Sequence, residues 1–286
     1  MQIFLTGATG FIGSHFVSQA HDAGHEVIAL KHKPESKPRI PLSRDPKWLN
    51  KSLEDVLPSD LEGIDVIVHL AAHSANVPYD TLLQCMHWNV IIPLTFLEKA
   101  REAGIQNYVI AGSCFEYGRS GVRYEFIPAD APLEPTQTYP ASKAAASIAF
   151  LQWAQMHKMS LSIQRIFQVY GPGEAETRLW PSVCNAANKG EDFPMTNGDQ
   201  IRDFIHVQAV ASQLISECER IIGQSQPTIQ IANLGSGNPQ TLYSFCFQIW
   251  NETAAKGRIV RGALPYREGE IMRYVPDLTP VIWSLS

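Results

Sequence analysis

No uninterrupted apolar run in this 286-residue chain approaches the roughly 18 to 20 residues that a membrane-spanning helix requires, so no membrane partner is expected. Strong charge of one sign is missing too. The 23 Lys and Arg stand against 28 Asp and Glu for a net charge of −5, which gives no global basic surface for nucleic acid. Any anion site must be local. The five cysteines, Cys85, Cys114, Cys184, Cys218 and Cys246, are odd in number, scattered and never spaced as CxxC, which disfavours a disulfide framework and a zinc site. Two histidine pairs, His21/His25 and His69/His73, have ligand-like spacing, but Gly24 breaks the first helix and the second pair lies at a strand end. No metal is expected. The opening MQIFLTGATG lacks the charged n-region of a signal peptide, and a cytoplasmic protein is the simplest expectation.

What is present is an alternation of short β-rich runs with helical patterns. QIFLT (2–6), EVIAL (26–30), DVIVHLAA (65–72) and NYVIAG (107–112) read as strands, with helices at about 11–23 and 80–103 between them. Continuous apolar strands separated by helices predict βαβ units on a parallel sheet covered on both faces. Gly24 and Gly104 stand where helices should end. A helix from Tyr139, with Pro140 in its first turn, leads to the strand LSIQRIF (161–167).

Beyond that strand the texture changes. QVYGPGEAETRLWPS is rich in turn formers, and FPMTNGDQIRDF reads as a short strand, an NGD turn and another short strand. A helix at 207–222 and the strand TIQIANLG (228–235) return to the main sheet. The expected division is therefore interleaved, with 1–167 and 207–235 in a dinucleotide-binding domain and 168–206 and 236–286 in a substrate lobe. LYSFCFQIW (242–250) reads as one buried helix face.

Two motifs carry chemistry. In TGATGFIGSH, Gly7, Gly10 and Gly13 lie between the first strand and the first helix, spaced GxxGxxG. A tight turn, backbone open to a pyrophosphate and the free N–H groups of a helix N-terminus make a dinucleotide site. In TYPASK, Tyr139 and Lys143 are four apart, on one helix face, so an ammonium can approach a phenol and favour its ionised form. The pair is a candidate proton relay. Its plain alternative is a half-buried tyrosine beside a solvated lysine.

These motifs, with DVIVHLAA, WNV, GSCFEYG, RIFQVYGPG, GDQIRDFIHV, NLGSG and YREGE, resemble the extended short-chain dehydrogenase/reductase family, the NAD-dependent epimerase/dehydratase group acting on nucleotide sugars. The resemblance covers nearly the whole chain. It implies an α/β fold with a Rossmann-type doubly wound parallel sheet and a smaller C-terminal α/β lobe for the nucleotide diphosphate sugar. By the same resemblance Tyr139 is the catalytic tyrosine, Lys143 also holds the nicotinamide ribose, and Ser113 hydrogen-bonds the reacting sugar oxygen. Thr9, Phe11, Ile12, Leu70, Ala71, Ala72 and Ile166 join the three glycines along the cofactor, and Asn89 stands behind the active site. Ser74, Gln168, Arg202 and Arg267 fall to the substrate, the arginines to its diphosphate. Ser113 as a strand-end serine, and either arginine in a surface ion pair, are the plainer alternatives. A homodimer through 80–103 and 139–157 is a family expectation.

The departures narrow the reaction. Sugar 4,6-dehydratases of the family place Asp and Glu after the catalytic threonine, where this chain has Cys114 and Phe115. Gln168 replaces a common asparagine, Gln208 and Ala209 interrupt a usual acidic pair, and the short tail VPDLTPVIWSLS implies a reduced cover over the substrate. At the end of the second strand, Lys31, His32 and Lys33 occupy the place where a carboxylate would bind the ribose of NAD, so NADP(H) is expected, with NAD(H) as the alternative. Solvated charges at a strand exit would look the same. The first reading is an NADPH-dependent reductase of a nucleotide-linked 4-keto-(6-deoxy)hexose. Its competitors are a nucleotide-sugar 4-epimerase with tightly bound NAD and a noncatalytic dinucleotide sensor.

Overall fold

A computed structural model of the protein describes residues 1–253 and 255–285. Ala254 and Ser286, both within the range assigned above to the substrate lobe, lie outside the described residues. The chain begins with β1 (Gln2–Thr6), α1 (Phe11–Asp22), β2 (Glu26–Leu30), the three-residue β3 (Lys47–Leu49) and β4 (Val66–His69). Next come α2 (Leu82–Met86), a π turn (His87–Ile91), α3 (Ile92–Glu102), β5 (Asn107–Ser113), α4 (Thr138–His157) and β6 (Ser160–Ile166). The second half contains β7 (Gln168–Tyr170), α5 (Leu179–Lys189), β8 (Phe193–Pro194), β9 (Ile201–His206), α6 (Val207–Ile222) and β10 (Thr228–Leu234). It ends with β11 (Pro239–Thr241), α7 (Leu242–Glu252), β12 (Ile259–Val260), β13 (Arg273–Tyr274) and β14 (Val281–Ser284).

The large sheet has the order β14-β10-β6-β5-β4-β1-β2-β3 and is parallel except for β14. Strand alternation divides its side chains between two cores. Phe4, Ile67, Tyr108 and Ile163 face α3 and α4, whereas Ile3, Leu5, Val66 and Val109 face α1 and α6. Because both faces are buried, the strands read as continuous apolar runs. The order reverses at β1, which leaves a crevice at the carboxyl ends of β1 and β4, the place where open α/β sheets bind ligands. Gly24 and Gly104 adopt φ of 78° and 88° just beyond α1 and α3.

Four local expectations are corrected. The helix expected over 80–103 is interrupted by the π turn, because Pro93 has no N–H to give the carbonyl of Asn89. The strand expected over 65–72 stops at His69, after which the Ala71 N–H turns to the Thr6 hydroxyl at 3.2 Å. The strands flanking the NGD turn do not pair with each other: β8 pairs with β12, while β9 pairs with β7, β11 and β13. Asp199 ties that turn to the C-terminal segment through Arg261 and Tyr266. Finally, residues 281–284, assigned to the substrate lobe, add an antiparallel strand to β10, covering an edge that would otherwise expose unpaired backbone groups.

Candidate active site

The glycine-rich turn is built by close approach. Gly7 has φ of 78°, and a Cβ there would meet the backbone nitrogen of Ala71 at 2.7 Å. A Cβ on Gly13 would meet the Gly7 carbonyl oxygen at 2.1 Å, so α1 packs onto the end of β1 only because residue 13 has no side chain. Gly10 caps α1 without any side-chain hydrogen bond, leaving the first N–H groups of a 12-residue helix aimed at the crevice.

A cavity of about 740 Å³ opens there. It brings together the turn residues Gly7, Thr9, Gly10, Phe11, Ile12 and Gly13 with Leu70, Ala71, Ala72 and Ser74 from the end of β4. Its far wall holds Ser113, Tyr139, Lys143, Ile166 and Gln168. A glycine cradle that any Cβ would fill, leading to a serine, a tyrosine and a lysine, fits a dinucleotide.

Tyr139 is buried and its ring lies 5.4 Å from that of Tyr79. Burial raises its pKa above the ordinary phenol value, reinforced by the charge of Glu116; a hydrogen bond with Ser113 works the other way. The expected lowering of the phenol's pKa by Lys143 is corrected: burial prevails at Tyr139, and the lysine's charge is not among the influences on it. Lys143 is itself buried, its pKa lowered by desolvation, and its ammonium donates to the Ala111 carbonyl at 2.7 Å. Its charge also helps to keep the buried His69 neutral, with burial as the main cause of a pKa near 3. The Nδ1 of that imidazole lies 2.8 Å from the Thr6 hydroxyl.

Behind these groups is a residue that the motif reading passed over. Glu116, fully buried, accepts from the Ser113 N–H at 2.7 Å, the Ser147 hydroxyl at 2.8 Å and Arg165 Nε at 2.8 Å. One carboxylate thus ties together β5, α4 and β6, which carry the serine, the tyrosine and lysine, and the floor of the cleft. Its signal was its place three residues after Ser113. Asn89 lies outside the cavity: its Oδ1 accepts from the His73 N–H at 2.7 Å and its amide donates to the Ser142 hydroxyl at 2.9 Å, fixing the 70–74 loop to α4.

The basic cluster at the end of β2 does not line the cavity. Lys31 donates to the Pro34 carbonyl at 3.3 Å and lies 4.4 Å above the Trp48 ring, while His32 and Lys33 are exposed. The cation of this connection that does line it is Arg39, whose Cβ lies 3.0 Å from the position of a Cβ on Gly173.

A second cavity of about 410 Å³ adjoins the first. Arg202 and Arg267 line it together with the aromatic residues Tyr170, Trp180, Phe204 and Phe245. Arg202 is held by the Ile271 carbonyl at 2.7 Å and Glu270 at 3.2 Å. Arg178 and Glu174, unnoticed in a segment read only as turns, line both cavities.

Residues 3–229 match the NAD dependent epimerase/dehydratase family. The chain belongs to that family. Its relatives carry different chemistries. The chain is 27% identical over 256 residues to the UDP-glucose 4-epimerase of Corynebacterium glutamicum, covering 83% of this chain and 76% of that one. It is 28% identical over 225 residues to a dTDP-4-dehydro-6-deoxy-D-allose reductase of a Streptomyces species, covering 72% and 68%. Among solved structures, the NAD-dependent NDP-hexosamine 5,6-dehydratase TunA superimposes with a TM-score of 0.80 at 27% identity, over 97% of this chain and 89% of that one. Family membership makes this chain an NAD(P)-dependent enzyme and leaves its reaction to be read from the site.

Proposed function

We propose that the protein reduces a nucleotide-linked 4-keto-(6-deoxy)hexose to the 4-hydroxy sugar with NADPH. The observation that separates this reading from a dehydratase is the pair of residues after Ser113. Cys114 is buried, its thiol pushed up to about 12 by desolvation, and Phe115 has no proton to give, so this position lacks the acid and base that eliminate water. Carbonyl reduction needs only one proton donor and one polarising group, and Tyr139 and Ser113 supply them.

The dinucleotide, when bound along the glycine turn, supplies the hydride. Tyr139 donates its proton to the oxygen that becomes the C4 hydroxyl, and burial, by keeping the phenol protonated, holds that proton in place. The Ser113 hydroxyl donates to the same oxygen as negative charge develops on it. Lys143, poised on the Ala111 carbonyl, orients the ribose and compensates the phenolate left behind. Arg202 and Arg267 take the substrate diphosphate, and the aromatic wall of the smaller cavity takes the base.

The test begins with nucleotides released from purified protein, followed by kcat/KM for NADPH and NADH with UDP-, dTDP- and CDP-linked 4-keto-6-deoxyglucose. Exchangeable cofactor, NADPH preference and turnover are the expected results. Tyr139→Phe should lower turnover by about 10² to 10⁴ while cofactor binding persists. NAD that stays bound through purification, with 4-epimerisation of a UDP-sugar, would establish the epimerase instead. Cofactor binding without turnover of any such sugar would leave a sensor.

A further inference from the structure

The connection between β7 and α5 carries a carboxylate that none of these steps uses. Glu174 borders both cavities, and its side chain is only 8% exposed. One oxygen, Oε1, lies 3.5 Å from Arg178 Nε, a loose contact, and the other, Oε2, is sealed from water without a hydrogen-bond partner. Burial pushes this carboxyl up to about 7, with Arg178 and the Gly171 backbone opposing it only in part. A buried carboxylate oxygen without a donor is costly, and such orphans persist chiefly where something else completes them.

The missing donor is constrained by chemistry. A phosphate is an acceptor with no hydrogen to offer a carboxylate, so the diphosphate does not complete Oε2 and is left to Arg202 and Arg267. What remains is a hydroxyl, amino or amide hydrogen on the uncharged part of a ligand. Asn76, Phe115, Gln168 and Arg178 join Glu174 in lining both cavities, which puts the carboxylate between the Ser113–Tyr139 wall and the arginines. A hexose joined to the diphosphate and presenting C4 to Tyr139 spans that stretch.

We infer that Glu174 is a specificity-determining residue that accepts a hydrogen bond from a hydroxyl or amino group at C2 or C3 of the sugar. This rests on the nucleotide-sugar reading. A 4-keto-6-deoxyhexose attached through C1 has ring donors only at those two carbons, so the inference selects sugars that are not deoxygenated there. A rotation about the glutamate side chain would bring Oε2 to such a donor at the expense of the long contact to Arg178 and of the Gly171 backbone contact.

The probes are UDP, dTDP, CDP and GDP and their 4-keto-6-deoxyglucose conjugates, titrated calorimetrically into the protein saturated with NADP⁺, which cannot reduce them. The quantity read is the affinity of the conjugate relative to its bare nucleotide, which cancels effects on the diphosphate. Glu174→Met should lower that ratio about tenfold, the scale of one charge-assisted hydrogen bond, with NADPH affinity unchanged, and Glu174→Gln should keep it within about threefold. The groups acting on this carboxyl are Arg178 and the Gly171 backbone, and Cys184 of α5 feels its charge; Tyr170, Arg202, Arg267 and Arg39 are the other titratable groups on the neighbouring cavity walls. Since ionisation through about pH 7 makes a stronger acceptor, the wild-type ratio should rise from pH 6 to pH 8 and that of Glu174→Gln should stay flat. That comparison decides the matter even where the methionine variant fails to fold. An unchanged ratio in the methionine variant, a matching pH response in both proteins, or a loss of NADPH affinity in place of sugar affinity overturns the inference. Failure of all four conjugates to bind overturns the nucleotide-sugar reading itself.

Discussion

Lys31 and Arg39 belong to one connection and face different surroundings. A lone basic cluster after β2 is visible in a sequence, but the direction of each side chain is set by tertiary contacts: Trp48 on β3 captures Lys31, and Gly173, from the other lobe, seats the backbone of Arg39 against the cleft. Among the described residues the Arg39 guanidinium forms no ion pair. We propose that Arg39 is the cation that would give a preference for NADPH. Arg39→Ala should raise KM for NADPH about tenfold or more and KM for NADH far less, while Lys31→Asp should leave the preference nearly unchanged. Equal losses for the two cofactors would place the guanidinium on the pyrophosphate they share. Added salt should weaken NADPH binding in wild type and do so less in Arg39→Ala, because the contact is electrostatic and exposed. That Tyr139 and Lys143 share one helix and one cavity was legible for the opposite reason, because four residues on a helix settle relative position locally.

At the scale of elements, the strands that could be read were those buried on both faces, since their apolar content is continuous. The edges escaped. KWL of β3 and VIWS of β14 are short, mixed in polarity and defined by the neighbour they pair with. The π turn also escaped, although Pro93 was its cause in plain sight. The contact that joins three elements at the site is the Glu116–Arg165 pair, nearly sealed from solvent and completed by Ser113, Ser147, Tyr117 and the Ala129 carbonyl. Removing one member of such a pair strands the other charge. Glu116→Leu should cost about 3 to 5 kcal/mol in denaturant unfolding, and Glu116→Leu combined with Arg165→Met should cost less than the two single changes added together. A sum that is simply additive would show that the two groups do not support each other. Rescue of stability by the double variant without rescue of kcat would assign Glu116 a separate part in positioning Ser113.

For the whole molecule, the question left by the fold is what covers the outer side of α2, α3 and α4. Of these, α2, the π turn and α4 pack against one another, yet on them Leu83, Ile148 and Met156 are 77%, 60% and 68% exposed, with Leu82 and Ile91 also about half open. Single apolar side chains on a surface are ordinary, whereas five large ones on one helical layer amount to a patch that water solvates poorly. We propose that a second copy of the chain covers this layer. A two-fold axis beside α4 would set the helices of one protomer against those of the other, an arrangement in which the same residues serve both sides. The active site gains from it indirectly, because α4 carries Tyr139 and Lys143 on its inner side and the thrust of dimer packing falls on its outer side. Sedimentation at micromolar concentration should give twice the mass of one chain. Leu83→Glu with Ile148→Glu should give single chains, since burying two carboxylates without partners outweighs the apolar gain of the interface. Both changes lie on exposed side chains, so the folded protomer should survive, with its far-ultraviolet circular dichroism unchanged. A wild-type protein that sediments as one chain, or a double variant that still pairs, would move the interface away from this layer.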